Sequence, residues 1–318
     1  MIKIDAHMHV NFNGFNTNDI IAYMDTNRID QSWLLSWEEI NPFIPAYYKH
    51  LPIDQVMDAY YEYPNRIIPM YAPDPCRDDW ESRLEKYIEQ GIRGYGELKV
   101  SLEWDAPEIN SVLTLLQKRK IPILFHMQGA KSFYVPSRNH LYHKILSELL
   151  NAGLNGWPRK LLFELMHRFK ILQTPITPNL KYFPGYLLDF QKLEQKLIEF
   201  PDVTFIGHGP YFWRNIAQKF DMDLNFDRGK ISKRGCIWRL LETYDNLYAD
   251  VSGKSGYNAL TRDSDCTRIF LEKFYKKILF GTDNFLLGLE EYISGLGLPL
   301  YKLQRIFGLN ASEIISPK

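Results

Sequence analysis

The sequence predicts an α/β fold, a (β/α)8 TIM barrel with an inserted cap segment after the fifth strand. Three observations predict it. Eight short apolar or β-branched runs recur along the chain, helical patterns separate them, and no GxGxxG turn of an open dinucleotide-binding sheet follows any run. The runs are Lys3 to Val10, Gln31 to Ser36, Ile67 to Ala72, Ile92 to Val100, Ile121 to Met127, Val203 to His208, Leu247 to Val251 and Ile278 to Thr282. Among the helices between them, Asp78 to Gln90 places Trp80, Leu84, Tyr87 and Ile88 on one face. Pro107 to Arg119 does the same with Ile109, Val112, Leu113 and Leu116, so both can shield the outside of a barrel.

The longest departure from a minimal barrel is an insert from about Gly129 to Asp189, ahead of a helix from Phe190 to Glu199. Helical patterns from Leu141 to Asn151 and Pro158 to Phe169 suggest a cap leaning over the mouth, with a say in substrate choice. A second long connection runs from Pro210 to Tyr244. All 318 residues are read as one barrel domain carrying this insert.

Composition excludes several classes. Hydrophobic residues make up 45% and charged residues 24%, an ordinary globular balance. Lysine plus arginine equals aspartate plus glutamate at 38 each, so no summed field would hold a polyanion, and nucleic acid is not an expected partner. Cys76, Cys236 and Cys266 are odd in number and widely spaced, which suggests neither a disulfide framework nor a zinc knuckle. No apolar run is long enough to span a bilayer and no basic leader opens the chain, so a cytoplasmic, unanchored protein is expected. Its partner is then a small-molecule substrate, with self-association left open.

The chemistry-bearing residues fall at strand ends. Asp5-Ala6-His7-Met8-His9 closes the first run, and alternation along a strand puts His7 and His9 on one face, able to hold one metal ion between them. An HxH pair alone is weak. His126 ends the fifth run, His208 ends the sixth within Gly207-His208-Gly209, and Asp283 follows the eighth in Gly281-Thr282-Asp283. In a parallel barrel every strand delivers its C-terminal end to the same mouth, so these residues converge, whereas each alone would be an ordinary satisfied polar group. His50, His140, His143 and His167 fall in loops or helices and are read as structural or near substrate.

On these motifs the chain resembles the amidohydrolase superfamily, in the branch that includes aminocarboxymuconate-semialdehyde decarboxylase-like enzymes and lactone hydrolases. The resemblance spans nearly the whole chain. It implies His7, His9, His126 and Asp283 around one divalent ion, usually Zn2+, with His208 beside the metal-bound water. On the fourth run Glu97 and Lys99 share a face near the mouth. Binuclear members of the superfamily carry a carbamylated lysine here that bridges two metals. Three readings follow: Lys99 in that role, Glu97 as a direct ligand of one ion with Lys99 binding an anionic substrate, or a Glu97–Lys99 ion pair that only fills the lumen. The single ion with Glu97 close to it is preferred.

Asp5, with the parity of the two histidines, is expected either to orient an imidazole or to hydrogen-bond in the barrel floor. Trp37, Tyr134, Arg138, Trp213 and Arg214 stand on predicted mouth loops, where Arg138 and Arg214 could clamp a substrate carboxylate and Trp213 could contact substrate. The function this implies is a metal-dependent hydrolase using a metal-activated water on an ester, lactone or amide carbonyl, with Asp283 and His208 catalytic. Two alternatives stand beside it: non-oxidative decarboxylation of an aromatic or muconate-type acid at the same site, and a barrel that binds ligand without catalysis.

Overall fold

The computed structural model of the chain describes residues 2–38, 50–135, 179–183, 185–220 and 226–316. The chain forms two compact units. The first comprises residues 1–41, 50–129 and 185–318, and the second residues 42–49 and 130–184.

In the first unit each predicted run contains a strand: β1 (Ile4–Met8), β2 (Gln31–Leu35), β3 (Ile67–Met70), β4 (Tyr95–Leu98), β5 (Ile123–His126), β8 (Phe205–His208), β9 (Leu247–Asp250) and β10 (Ile278–Leu279). All eight pair in parallel, as two ladders ordered β1-β2-β3 and β10-β9-β8-β5-β4. Backbone hydrogen bonds carry both remaining seams. Tyr71 N donates to Gly94 O (3.0 Å) and Arg93 N to Pro69 O (3.0 Å) between β3 and β4, while Ala6 N donates to Phe280 O (2.9 Å) between β1 and β10. These bonds complete the ring order of an eight-stranded barrel. The second unit contributes an antiparallel pair, β6 (Lys131–Val135) with β7 (Asn179–Phe183). The helices expected at Leu141 to Asn151 and Pro158 to Phe169, and with them the cap, lie outside the described residues.

Helices follow the strands. They are α1 (Thr17–Thr26), α2 (Ile53–Glu62), α3 (Trp80–Glu89), α4 (Pro107–Arg119), α5 (Phe190–Glu199), α6 (Pro210–Arg214), α7 (Cys236–Thr243), α8 (Gly253–Thr261) and α9 (Ser264–Phe274), before short α-helical and π-helical segments at the C-terminus. Local signals set their ends. Asn16 and Asp19 form a reciprocal capping box at the start of α1, and Pro107 opens α4 where its missing N–H costs nothing. The face predicted for α4, Ile109, Val112, Leu113 and Leu116, is buried.

Two cores result. Met8, Leu34, Tyr95, Phe125, Phe205 and Phe280 pack outward against helix residues such as Val112 and Leu193, while Ile4, Ala6, Trp33, Leu35, Leu124 and Ile206 fill the lumen. The change of side between Ala6 and Met8 marks a break in the strand's alternation, and the register of β1 against β2 shifts between Asp5 and Met8. Among the described residues, no helix is long and apolar enough to cross a membrane.

The Gly-His-Gly end of β8 has a steric origin. A Cβ on Gly207 would lie 2.2 Å from the Phe212 ring, and one on Gly209, at φ 99°, would lie 2.6 Å from Met127 O. Phe212 is fully buried against Phe125, Phe190 and Trp213 and has nowhere to move. Gly207→Ala is therefore expected to destabilise the fold by about 1–3 kcal/mol through overpacking, read as a lower urea midpoint with unchanged slope.

Candidate metal centre

The barrel mouth gathers His7 from β1 and His9 just after it, Glu97 from β4, His126 from β5, His208 from β8 and Asp283 from the loop after β10. Neighbouring groups fix which nitrogen of each imidazole carries the proton. His9 Nδ1 lies 2.8 Å from Leu35 O, a carbonyl that can only accept, so Nδ1 is the donor and Nε2 holds a lone pair. His7 Nδ1 lies 2.6 Å from Asp250 Oδ2. Burial alone would raise the Asp250 carboxyl, but His7 and His208 beside it hold it below the usual range, so it is ionised. His7 Nδ1 is then also the donor, which in a neutral ring leaves the lone pair on Nε2.

The two Nε2 atoms are 3.1 Å apart. Asp283 Oδ1 lies 3.5 Å from His9 Nε2 and 3.8 Å from His7 Nε2, and Glu97 Oε2 lies 3.5 Å from His9 Nε2. In neutral rings with the proton on Nδ1, the two Nε2 atoms would face each other as acceptors with a carboxylate oxygen on either side, an arrangement that a cation between them would relieve. Nitrogen and carboxylate oxygen suit a divalent transition ion. The donor set fits a metal.

A second group adjoins the first through Glu97. His126 Nδ1 lies 2.6 Å from Glu97 Oε1, and His208 Nε2 lies 4.0 Å from that oxygen. Burial pushes the Glu97 carboxyl up, but Lys99 and His126 outweigh it and leave it well below the usual range. Burial, with Lys99 adding to it, takes His126 down to about 3, so its ring is neutral and donates from Nδ1. Its Nε2 is buried with no hydrogen-bond partner, a costly state that a ligand or substrate group would relieve. In all, three overlapping triads hold donor atoms within 4.8 Å of one another: His7, His208 and Asp283; His7, His9 and Glu97; Glu97, His126 and His208.

His208 Nδ1 sits 3.1 Å from both Asp250 Oδ2 and Ser252 Oγ. The Ser252 hydroxyl donates to Asp250 Oδ2 (2.7 Å), so its oxygen is free to accept from the ring. Burial disfavours the charged ring, but Asp250 more than compensates and raises the His208 pKa. Asp283 has a left-handed backbone (φ 52°), and its N–H donates to His7 O at 2.7 Å, tying it to β1. Its side chain is 18% exposed, against 3% for Glu97, so it is the carboxylate a substrate can reach. Gly253 leaves room there, since a Cβ on it would lie 2.8 Å from Asp283 Oδ2.

Sequence reasoning missed Asp250, Ser252 and Asn284. Asp250 ends β9 and was available to the strand-end rule that picked out the other site residues. Asn284 brackets His9, accepting from its N–H (2.7 Å) and donating to its carbonyl (2.8 Å).

Other expectations are corrected. Asp5 orients no imidazole. It accepts from Tyr23 on α1, from Thr282 and from the His7 N–H, because the irregularity in β1 turns it out of the histidines' face. Burial raises its carboxyl to about 7. Trp213 is 1% exposed and donates its indole N–H to Asp250 O (2.8 Å), a packing role that leaves no face for substrate. Trp37 is buried too, its indole N–H on Lys99 O (2.8 Å). Lys99 stands at the rim, its Nζ 3.9 Å from Glu97 Oε2 and 4.7 Å from the Trp37 ring centroid. Arg214 is buried, Arg138 lies outside the described residues, and Tyr134 falls on β6 in the second unit.

No protein-family profile matches the chain, and no curated protein does. Solved structures do match. A TIM-barrel protein from Bordetella bronchiseptica is 12% identical with a TM-score of 0.58, covering 99% of this chain and 98% of that one. The chain is a TIM barrel. Two further matches to this barrel cover 99% of it. One is assigned as a 2-pyrone-4,6-dicarboxylic acid hydrolase from Acinetobacter baumannii, with citric acid bound (13% identity, TM-score 0.53, 99% of that chain). The other is a dihydroxybenzoic acid decarboxylase from a Polaromonas species, with bound manganese and the inhibitor 2-nitroresorcinol (14% identity, TM-score 0.53, 96% of that chain).

Proposed function

We propose that this TIM barrel is a metal-dependent hydrolase acting on an ester, lactone or amide carbonyl of a small, carboxylate-bearing molecule. The observation that carries the reading is the pair of Nε2 atoms of His7 and His9, 3.1 Å apart, each on a ring whose Nδ1 faces an oxygen acceptor, and flanked by Asp283 and Glu97. His7, His9, Asp283 and Glu97 would hold one divalent ion, most simply Zn2+, with His126 and His208 adjoining. When bound, such an ion supplies Lewis acidity, polarising a carbonyl oxygen and making water acidic at neutral pH.

The chain's own groups do the rest. Asp283, the most exposed carboxylate of the set, takes the proton of the attacking water and returns it to the leaving group. His208, its Nδ1 anchored to Asp250 and Ser252, presents Nε2 to the developing oxyanion and donates to it when protonated. Lys99 at the rim offers a cation to a substrate carboxylate. The buried lumen beneath the histidines keeps bulk water to one side of the site.

Protein purified without chelator is expected to carry one divalent ion per chain by elemental analysis. Chelation should lower its melting temperature, because removing the cation leaves the two Nε2 atoms facing each other. Absence of metal both on purification and after metal soaking would sink the catalytic reading. Two ions per chain would mean that the triad of Glu97, His126 and His208 is filled as well, or that Lys99 is carbamylated. A screen of lactones, amides and aromatic carboxylates on the metal-loaded protein tests the reaction itself. Carbon dioxide released in place of a hydrolysis product would assign the same site to decarboxylation.

A further inference from the structure

Two consecutive residues at the mouth have left-handed backbones, Asp283 at φ 52° and Asn284 at φ 57°. Side chains rarely adopt that conformation, and aspartate and asparagine do so at least cost. Such a pair persists only where surrounding bonds over-determine it, and residues held in this way cluster at functional sites.

The bonds are present. Asp283 N donates to His7 O at 2.7 Å. One residue on, the Asn284 carboxamide stands in for a peptide group: Oδ1 accepts from His9 N at 2.7 Å, and Nδ2 donates to His9 O at 2.8 Å and to Phe12 O at 3.3 Å. Neither strand reaches this far, since β1 ends at Met8 and β10 at Leu279. The amide therefore carries the seam between β1 and β10 beyond both strands, to the place where Asp283 Oδ1 lies 3.5 Å from His9 Nε2. Asn284 is buried, and its third bond holds Phe12, whose ring stands edge-on to the His9 ring with centroids 5.4 Å apart. Asparagine meets every requirement of the position. An ionised aspartate would tolerate the backbone but has no donor for the two carbonyls, and glycine has the backbone freedom without the amide.

We propose, on the metal-dependent reading of the site given above, that Asn284 is a positioning residue: it acts through His9 and sets the spacing of His9 and Asp283 before an ion arrives.

Asn284→Gly keeps the left-handed backbone and removes the carboxamide. Its dissociation constant for Zn2+, measured by competition with a chromophoric chelator, is expected to rise about tenfold or more over the unsubstituted protein, as for other groups that support metal ligands from behind. A lower melting temperature of the metal-free variant with an unchanged Zn2+ constant would reduce Asn284 to a packing role and overturn the proposal. Should Asn284→Gly not fold, amide hydrogen exchange in the isotope-labelled, unsubstituted protein decides. The His9 amide is expected to be protected already in the metal-free state. Protection that appears only after Zn2+ is added would mean that the ion orders the strand end, and the positioning role would fall. An unsubstituted protein that takes up no Zn2+ overturns the metal-dependent reading and this inference with it, whereas an unchanged constant in Asn284→Gly overturns this inference alone.

Discussion

Asp283→Asn is expected to lower turnover by about 10²–10⁴-fold, the range that general-base catalysis contributes. The amide keeps the size of the carboxylate and one oxygen acceptor for the place beside His7 and His9, so metal content should fall only modestly. What it loses is basicity. His208→Asn gives the contrast: it should cost activity with metal content unchanged, because that ring is assigned to steadying charge. The check is metal content and turnover of both variants on one substrate. Near-normal turnover of Asp283→Asn with full metal would remove its proton-transfer role and leave His208 as the base.

Asp250→Asn tests the support beneath the site. Asp250 accepts from His7 Nδ1, His208 Nδ1 and Ser252 Oγ at Oδ2, and from Ser252 N at Oδ1. An amide turned either way puts an NH2 against a donor. If it faces His7, the imidazole is driven to the tautomer with its proton on Nε2, where the metal would bind. Metal affinity is expected to drop about 10–100-fold, and turnover with it. A residue that merely packs would lower the melting temperature and leave the metal dissociation constant alone, so a metal titration separates the two. Unchanged affinity would refute the positioning role.

Much of this was legible from residue order. Eight strands and their sequence positions follow from hydrophobic runs, because a strand buried on both faces writes a continuous apolar stretch. The convergence of His7, His9, Glu97, His126, His208 and Asp283 follows from one topological rule, that parallel barrel strands end at a common mouth. Trp213 misled that rule. Its place in a loop after β8 suggested exposure, but α6 folds it back against Phe212 and Phe270, where its indole N–H meets Asp250. Asp5 misled strand parity, since one irregularity in β1 reverses the faces on either side of it.

By itself, the sequence determined the eight barrel strands and the set of nitrogen and oxygen atoms brought to the mouth, but not the antiparallel pair β6–β7 in the insert. These depend on local alternation, on apolar runs and on turn residues such as the glycines around His208. The tertiary structure alone decided how each imidazole is protonated. The partner of His7 Nδ1 is 243 positions away in the chain, and that of His9 Nδ1 is a backbone carbonyl of the neighbouring strand. A ring's tautomer is set by whatever acceptor packing places against it, and spacing along the chain carries no record of that.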